Sequence, residues 1–137
     1  MRLFRRQTYL VLFFLAVWVC GSCHRKPRTD ELSDASACYV AEIYYGYLKD
    51  GKAEEYVSFV GSQDSMPEGY RTQMVDLMKQ YVANLQRKKG GILEVQAAGD
   101  TIFGNEAQVF LDVLYGDSSS ERVDMLLYFE NKQWRMH

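Results

Sequence analysis

The stretch Gln86-Arg87-Lys88-Lys89-Gly90-Gly91-Ile92-Leu93-Glu94-Val95 decides the fold, because the periodicity of the chain changes inside it. Before Gly90 apolar residues recur three or four positions apart, the spacing of one helix face; after Gly91 they recur every second position, the spacing of a strand. The junction itself reads as a helix end. Arg87, Lys88 and Lys89 complement the negative end of the helix dipole, and glycine supplies a left-handed cap.

Working back from the junction, Tyr70, Met74, Leu77, Met78, Tyr81 and Leu85 form the expected apolar side of a long helix. Its start is marked by Ser65-Met66-Pro67-Glu68, a capping-box spacing with proline in the first turn. A short helix over about Lys52 to Val60 places Ala53, Tyr56, Val57 and Val60 together. An earlier one carries Val40, Ile43, Tyr44, Tyr47 and Leu48, is capped by Asp34 or Ser36, and stops at Asp50-Gly51.

Working forward, Ile92 to Ala98 is a first strand and Gly104-Asn105 a hairpin turn. Ala107, Val109, Leu111, Val113 and Tyr115 alternate along a second strand, and Val123, Met125, Leu127 and Phe129 along a third. Asn131-Lys132 turns the chain into a fourth, Gln133 to Met136. Three helices followed by an antiparallel meander is an α+β pattern. The core is expected at Val40, Ile43, Tyr47, Leu77, Tyr81, Val109, Leu111, Leu127 and Trp134.

The other informative segment is the first 23 residues. Arg2, Arg5 and Arg6 precede an eleven-residue apolar run, Tyr9 to Val19, short of the about 20 residues needed to span a bilayer. Val19-Cys20-Gly21-Ser22-Cys23 resembles the lipobox of bacterial lipoproteins, which implies cleavage before Cys23 and lipidation of its thiol. Cleavage before Cys20 would put bulky Trp18 and Val19 in small-residue positions. A plain secretory signal and an uncleaved anchor are the alternatives. The expected organisation is a signal peptide over 1–22, a lipidated tether over 23–33 and one domain over 34–137. The implied location is the bacterial cell envelope. His24-Arg25-Lys26-Pro27-Arg28 follows without the Asp that retains some lipoproteins at the inner membrane, which favours the outer one.

The chain has 16 Lys and Arg, and removing three with the leader leaves 13 basic against 18 acidic residues. A net of −5 argues against nucleic acid, which needs a basic stripe. Only Cys38 then remains as a thiol. It reads as a small buried hydrophobe, because no cation is near to lower its pKa. The two histidines, His24 and His137, lie in the tether and at the terminus, so neither a His triad nor a metal site is expected, and no cofactor is implied.

Leu48-Lys49-Asp50-Gly51, Lys89-Gly90-Gly91 and the closing Glu130-Asn131-Lys132-Gln133-Trp134-Arg135-Met136 together give residues 34–137 a family resemblance. They resemble small bacterial lipoprotein domains of unknown function in the nuclear transport factor 2-like, or cystatin-like, superfamily. The resemblance implies three N-terminal helices packed on a bent four-stranded antiparallel sheet, with a conical pocket in some members. It leaves two function classes: a non-catalytic module binding a small ligand or a protein, and an isomerase- or dehydratase-like enzyme using carboxylate and tyrosine side chains.

For the enzyme, Asp112 and Asp124 are the candidate carboxylates, though alternation puts both on the face away from the helices. For a ligand pocket, Tyr44, Tyr47 and Tyr81 are the candidates, since a tyrosine offers ring area and a hydroxyl. Core filling by the same rings is the plainer alternative. Phe110, Leu114, Leu126 and Tyr128 share the outer face with the two aspartates. Four large apolar side chains there would suit a homodimer or an envelope protein. The membrane, through the lipid, is the other expected partner.

Overall fold

The computed structural model describes residues 35–62 and 65–137; the expected signal peptide, Cys23, the expected tether and Asp34 lie outside the described residues. Helix α1 (Ala37–Lys49) begins at Ser36, whose hydroxyl accepts from the Tyr39 amide at 3.3 Å. It buries Ala37, Val40, Ala41, Tyr44, Tyr45 and Leu48. The buried stripe lies one residue round from expectation, taking in Ala41 and Tyr45 while Ile43 and Tyr47 sit at its margin. Small Ala37 and Ala41 let the helix approach the sheet closely.

The sheet is a meander with strands in sequence order: β1 (Ile92–Phe103), β2 (Glu106–Tyr115), β3 (Ser120–Glu130) and β4 (Gln133–Met136). Every neighbouring pair is antiparallel. Strand β1 runs five residues beyond its expected end at Ala98. Gly99 marks a register shift rather than a stop, and a second shift lies between Ile92 and Glu94. Such bulges bend a strand and raise its twist. The Ala97 amide there donates to Glu42 Oε1 of α1 at 2.6 Å, which ties helix to strand and satisfies a donor facing away from β2.

The inner face carries Ala107, Val109, Leu111, Val113, Tyr115, Met125 and Leu127, all buried against α1. Asn131 and Lys132 both have positive φ, the paired left-handed geometry that suits a two-residue hairpin to the twist of its strands.

Helix α2 (Ala53–Ser58) ends before Val60, which was expected inside it. Phe59 to Gly61 instead run parallel to β4. Met136 N donates to Phe59 O at 2.9 Å, and Gly61 N donates to Met136 O at 2.9 Å. Arg135, itself buried, donates from Nε to Gly61 O at 2.6 Å and from Nη2 to Ser58 O at 2.9 Å.

Helix α3 (Glu68–Lys89) corrects two expectations. Its N-cap is Pro67, and no capping box forms, because the Ser65 hydroxyl donates instead to Ser62 O at 3.1 Å. Its inward side is Met74, Val75, Met78, Val82 and Leu85. Leu77 is 57 % exposed, and Tyr81 is 38 % exposed although its hydroxyl meets Tyr45, so neither is a buried core residue. At about 100° per residue, Leu77 points a quarter-turn away from Met78, and burying one exposes the other. The architecture is therefore helices on a four-stranded antiparallel sheet, with α1 the covering layer. Helix α3 rests largely on α2, and it meets the sheet at β1 and, through Lys89 at its C-terminal end, at Tyr115 and Glu121.

At the far end of α3, Gly90 takes the left-handed cap with φ 76°. The β2–β3 loop closes on it: Gly116 N donates to Gly91 O at 2.9 Å and Asp117 N to Lys89 O at 2.8 Å. A Cβ at Gly116 would collide with the Gly90 carbonyl, lying 2.8 Å from its carbon. Both partners are backbone, so neither yields easily. Gly116→Ala should therefore cost about 1–3 kcal/mol in chemical denaturation, the range for overpacked sites. A cost under about 0.5 kcal/mol would mean the loop does not seat on the helix end.

Candidate functional site

Tyrosines concentrate where α1, α2 and α3 meet, and the fold divides them into two groups. Tyr44 and Tyr45 are adjacent on α1, so their rings diverge by about 100°. Tyr44 is fully buried; its hydroxyl donates to Trp134 O at 2.5 Å and its ring stacks on Phe59 at 4.4 Å. Burial holds its ionisation far above the usual tyrosine range. Tyr47, one turn on, is half-buried on the same Phe59 ring at 6.0 Å. Burial, then the nearby Glu55 carboxylate, raises its pKa.

The second group faces α3. Tyr45 and Tyr81 share a hydrogen bond between hydroxyls 3.1 Å apart, linking the first and third helices. Burial, reinforced by that bond, pushes the Tyr45 pKa up strongly. Tyr115 lies beyond, donating to Glu121 at 3.0 Å, with Lys89 Nζ 4.4 Å above its ring and 3.2 Å from the same carboxylate. Of the sequence candidates, then, Tyr44 and Tyr47 meet at Phe59, while Tyr81 belongs with Tyr45 and Tyr115. Tyr45 and Tyr115 were missed as a pair because only the folded chain brings residues 70 positions apart together.

The carboxylates are placed differently from what proton transfer asks. Asp112 is exposed on the outer face and accepts from Arg122 Nε at 2.9 Å and Nη2 at 3.2 Å. The hydrogen bonds from Arg122 lower its pKa. Asp124 is exposed beside Gln108, whose side-chain amide donates to it at 3.2 Å. Glu121 does touch a tyrosine, but it is open to water, and the bonds from Tyr115 and Lys89 lower its pKa as well. A general base acting near neutral pH calls for the opposite shift, given by burial away from cations.

Among the described residues no three His, Cys, Asp or Glu side chains converge as a metal set, and no helix is long and apolar enough to cross a membrane. Cys38 is half-buried and donates to Asp100 at 3.3 Å. Burial, with that carboxylate beside it, pushes the thiol up to about 11. Two units cut the thiolate about 100-fold, partly offset by the greater nucleophilicity of a more basic sulfur. In a Cys20→Ser/Cys23→Ser chain, Cys38 should thus react with an aromatic disulfide about tenfold more slowly than a free thiol at pH 8. Equal rates would show that neither burial nor Asp100 holds the thiol back.

No protein-family model matches the chain, and no curated protein matches it. Solved structures do. A Campylobacter jejuni protein bearing the name NTF2-like transpeptidase superposes with a TM-score of 0.58 at 19 % identity, over 72 % of this chain and 94 % of that one. The fold is NTF2-like. A SEC-C motif-containing protein from Rhodopseudomonas palustris gives a TM-score of 0.54 at 12 % identity, covering 78 % of this chain and 79 % of the other. A DUF4783 family protein from Bacteroides ovatus is also similar, with a TM-score of 0.48 at 13 % identity over 77 % and 91 %. At such identities the likeness carries fold and not activity, so the NTF2-like scaffold leaves function to the residues just described.

Proposed function

We propose that this chain is an exported cell-envelope protein, lipid-anchored through Cys23, whose NTF2-like domain binds another protein or a small ligand without catalysis. The observation that carries the non-catalytic part is the filled inner face. Ala107, Val109, Leu111 and Val113 are all fully buried beneath α1, and Tyr44 and Tyr115 are fully buried in the same core. A fold of this class serves as an enzyme where a cone stays open and holds a base with a raised pKa. Here Asp112 and Glu121 are wet, cation-paired and shifted the other way. The name of the Campylobacter jejuni neighbour lends no support to a transpeptidase reading at 19 % identity.

The outer sheet face is the binding surface this reading favours. The strand register puts Phe110, Leu114, Leu126 and Tyr128 on one side, with Leu126 52 % exposed. The Asp112–Arg122 pair lies among them, with Asp112 between Phe110 and Leu114 on β2, and supplies polarity that suits a modest interface, since each charge keeps its partner when the face is covered. A second copy of the chain is the simplest occupant. Sedimentation of the chain lacking residues 1 to 23 should show a dimer at micromolar concentration that Phe110→Asp dissociates. A monomer at high micromolar concentration, unchanged by that substitution, would refute the homodimer. Mass spectrometry of the intact protein tests the anchor: a thioether-linked diacylglyceryl group on Cys23 is expected, and an unmodified N-terminus would refute it.

A further inference from the structure

One end of the sheet gathers the two hairpin turns and the start of the domain. Asn105, in the β1–β2 turn, accepts from Phe129 N at 2.6 Å, which draws the β3–β4 hairpin alongside. Helix α1 runs antiparallel to β1, because Cys38 meets Asp100 while Glu42 meets Ala97. Its first turn, and Ala35 before it, therefore lie at the same end as the turns. That end carries exposed apolar side chains out of proportion to its size. Ile102 is 55 % exposed, and Phe103, Phe129 and Tyr39 are exposed too. Ile102 and Phe129 lie on the helix side of the sheet and Phe103 on the other, so the rim crosses the whole edge.

Resting on the lipidation proposed above, we infer that this turn end is a second membrane contact, seated on the bilayer that holds the Cys23 acyl chains. The eleven residues 24 to 34 reach at most about 40 Å when fully extended, and they join the domain at this end. The leash thus joins the domain beside the rim, which makes the rim the part of the domain nearest the anchor. Aromatic and aliphatic side chains at loop tips suit the headgroup boundary, where rings partition favourably. The charges nearby are mixed, Glu106 and Glu130 with Lys132, so apolar insertion rather than attraction to anionic lipid makes the contact. The basic cluster His24 to Arg28 adds attraction next to the anchor itself.

The test uses the acylated chain made from its full-length gene, with Cys38→Ser so that one introduced cysteine can take a fluorophore. Ile102→Cys and Phe129→Cys report the rim. Leu93→Cys reports a site 57 % exposed on the same β1 strand, roughly 30 Å from Ile102 at about 3.3 Å per residue. The protein is reconstituted into phosphatidylethanolamine–phosphatidylglycerol vesicles containing lipids nitroxide-labelled near the headgroup. Quenching at positions 102 and 129 should exceed that at 93 by at least threefold. Equal quenching at all three, with the acyl group confirmed by mass spectrometry, overturns the rim contact and leaves the anchor standing. A chain without the acyl group overturns both.

Discussion

Leu127→Ala should lower the unfolding free energy by about 2–5 kcal/mol, whereas Leu77→Ala should change it by less than about 0.5 kcal/mol. Both are leucines in apolar-patterned segments, and only their surroundings separate them. Leu127 has no exposed surface; it lies on β3 between Ala107 of β2 and Met136 of β4, facing α1. Removing three carbons there forfeits their transfer energy and leaves a cavity that three hydrogen-bonded strands cannot close. Leu77 is 57 % exposed on the outer side of α3, so alanine gives up little burial and gains slightly in helix propensity. Urea denaturation of the two variants measures the contrast directly. For a domain of about 100 residues each kcal/mol is worth roughly 4–8 °C, so the melting temperatures should separate by about 6 °C or more. Similar losses at both sites would mean that α3 buries its Leu77 side after all.

That contrast also explains which parts of the fold were legible in the sequence. A strand has two faces, and its alternation assigns every residue to one or the other. Val109, Leu111, Met125 and Leu127 therefore fell on the inner side without ambiguity, as did Phe110 and Leu126 on the outer. A helix offers a continuum. On α3 two apolar rows overlap, Tyr70-Met74-Leu77-Tyr81 and Met74-Met78-Val82-Leu85, and nothing local says which meets α2. The end of α2 was illegible for a related reason. Val60 continues the helical spacing, but Met136, 76 positions later, draws it into a bridge with β4. In the candidate site the same limit applies. Tyrosine abundance was visible, yet adjacent Tyr44 and Tyr45 part company because one meets Phe59 and the other Tyr81. Asp112 and Asp124 could be placed on the outer face, but the bidentate grip of Arg122 on Asp112 depended on strand register.

Replacing Arg135 by Met should cost about 2–4 kcal/mol, the largest effect expected of any charged side chain described in this domain. Arg135 is only 5 % exposed and meets no carboxylate among the described residues. Its charge is satisfied instead by two backbone carbonyls. Ser58 O is at the C-terminal end of α2, where the helix carries its partial negative charge, and Gly61 O is three residues on. The guanidinium also lies 5.9 Å from the Phe59 ring. Methionine keeps most of the stem volume, so the loss reports two carbonyls deprived of a cationic donor rather than a cavity. Hydrogen bonds to charged groups contribute about 1.5–3 kcal/mol each, and the swap recovers part of the sum by no longer burying a charge. The damage should be local: Gly61 N and Met136 N, which bond across the Phe59–Gly61 bridge, should exchange with solvent faster. Lysine at this position retains the charge but cannot reach both carbonyls with a planar fork, so Arg135→Lys should recover less than half of the loss. A cost under 1 kcal/mol for Arg135→Met, with unchanged exchange at Gly61, would show that the strand-like bridge holds the loop without its arginine.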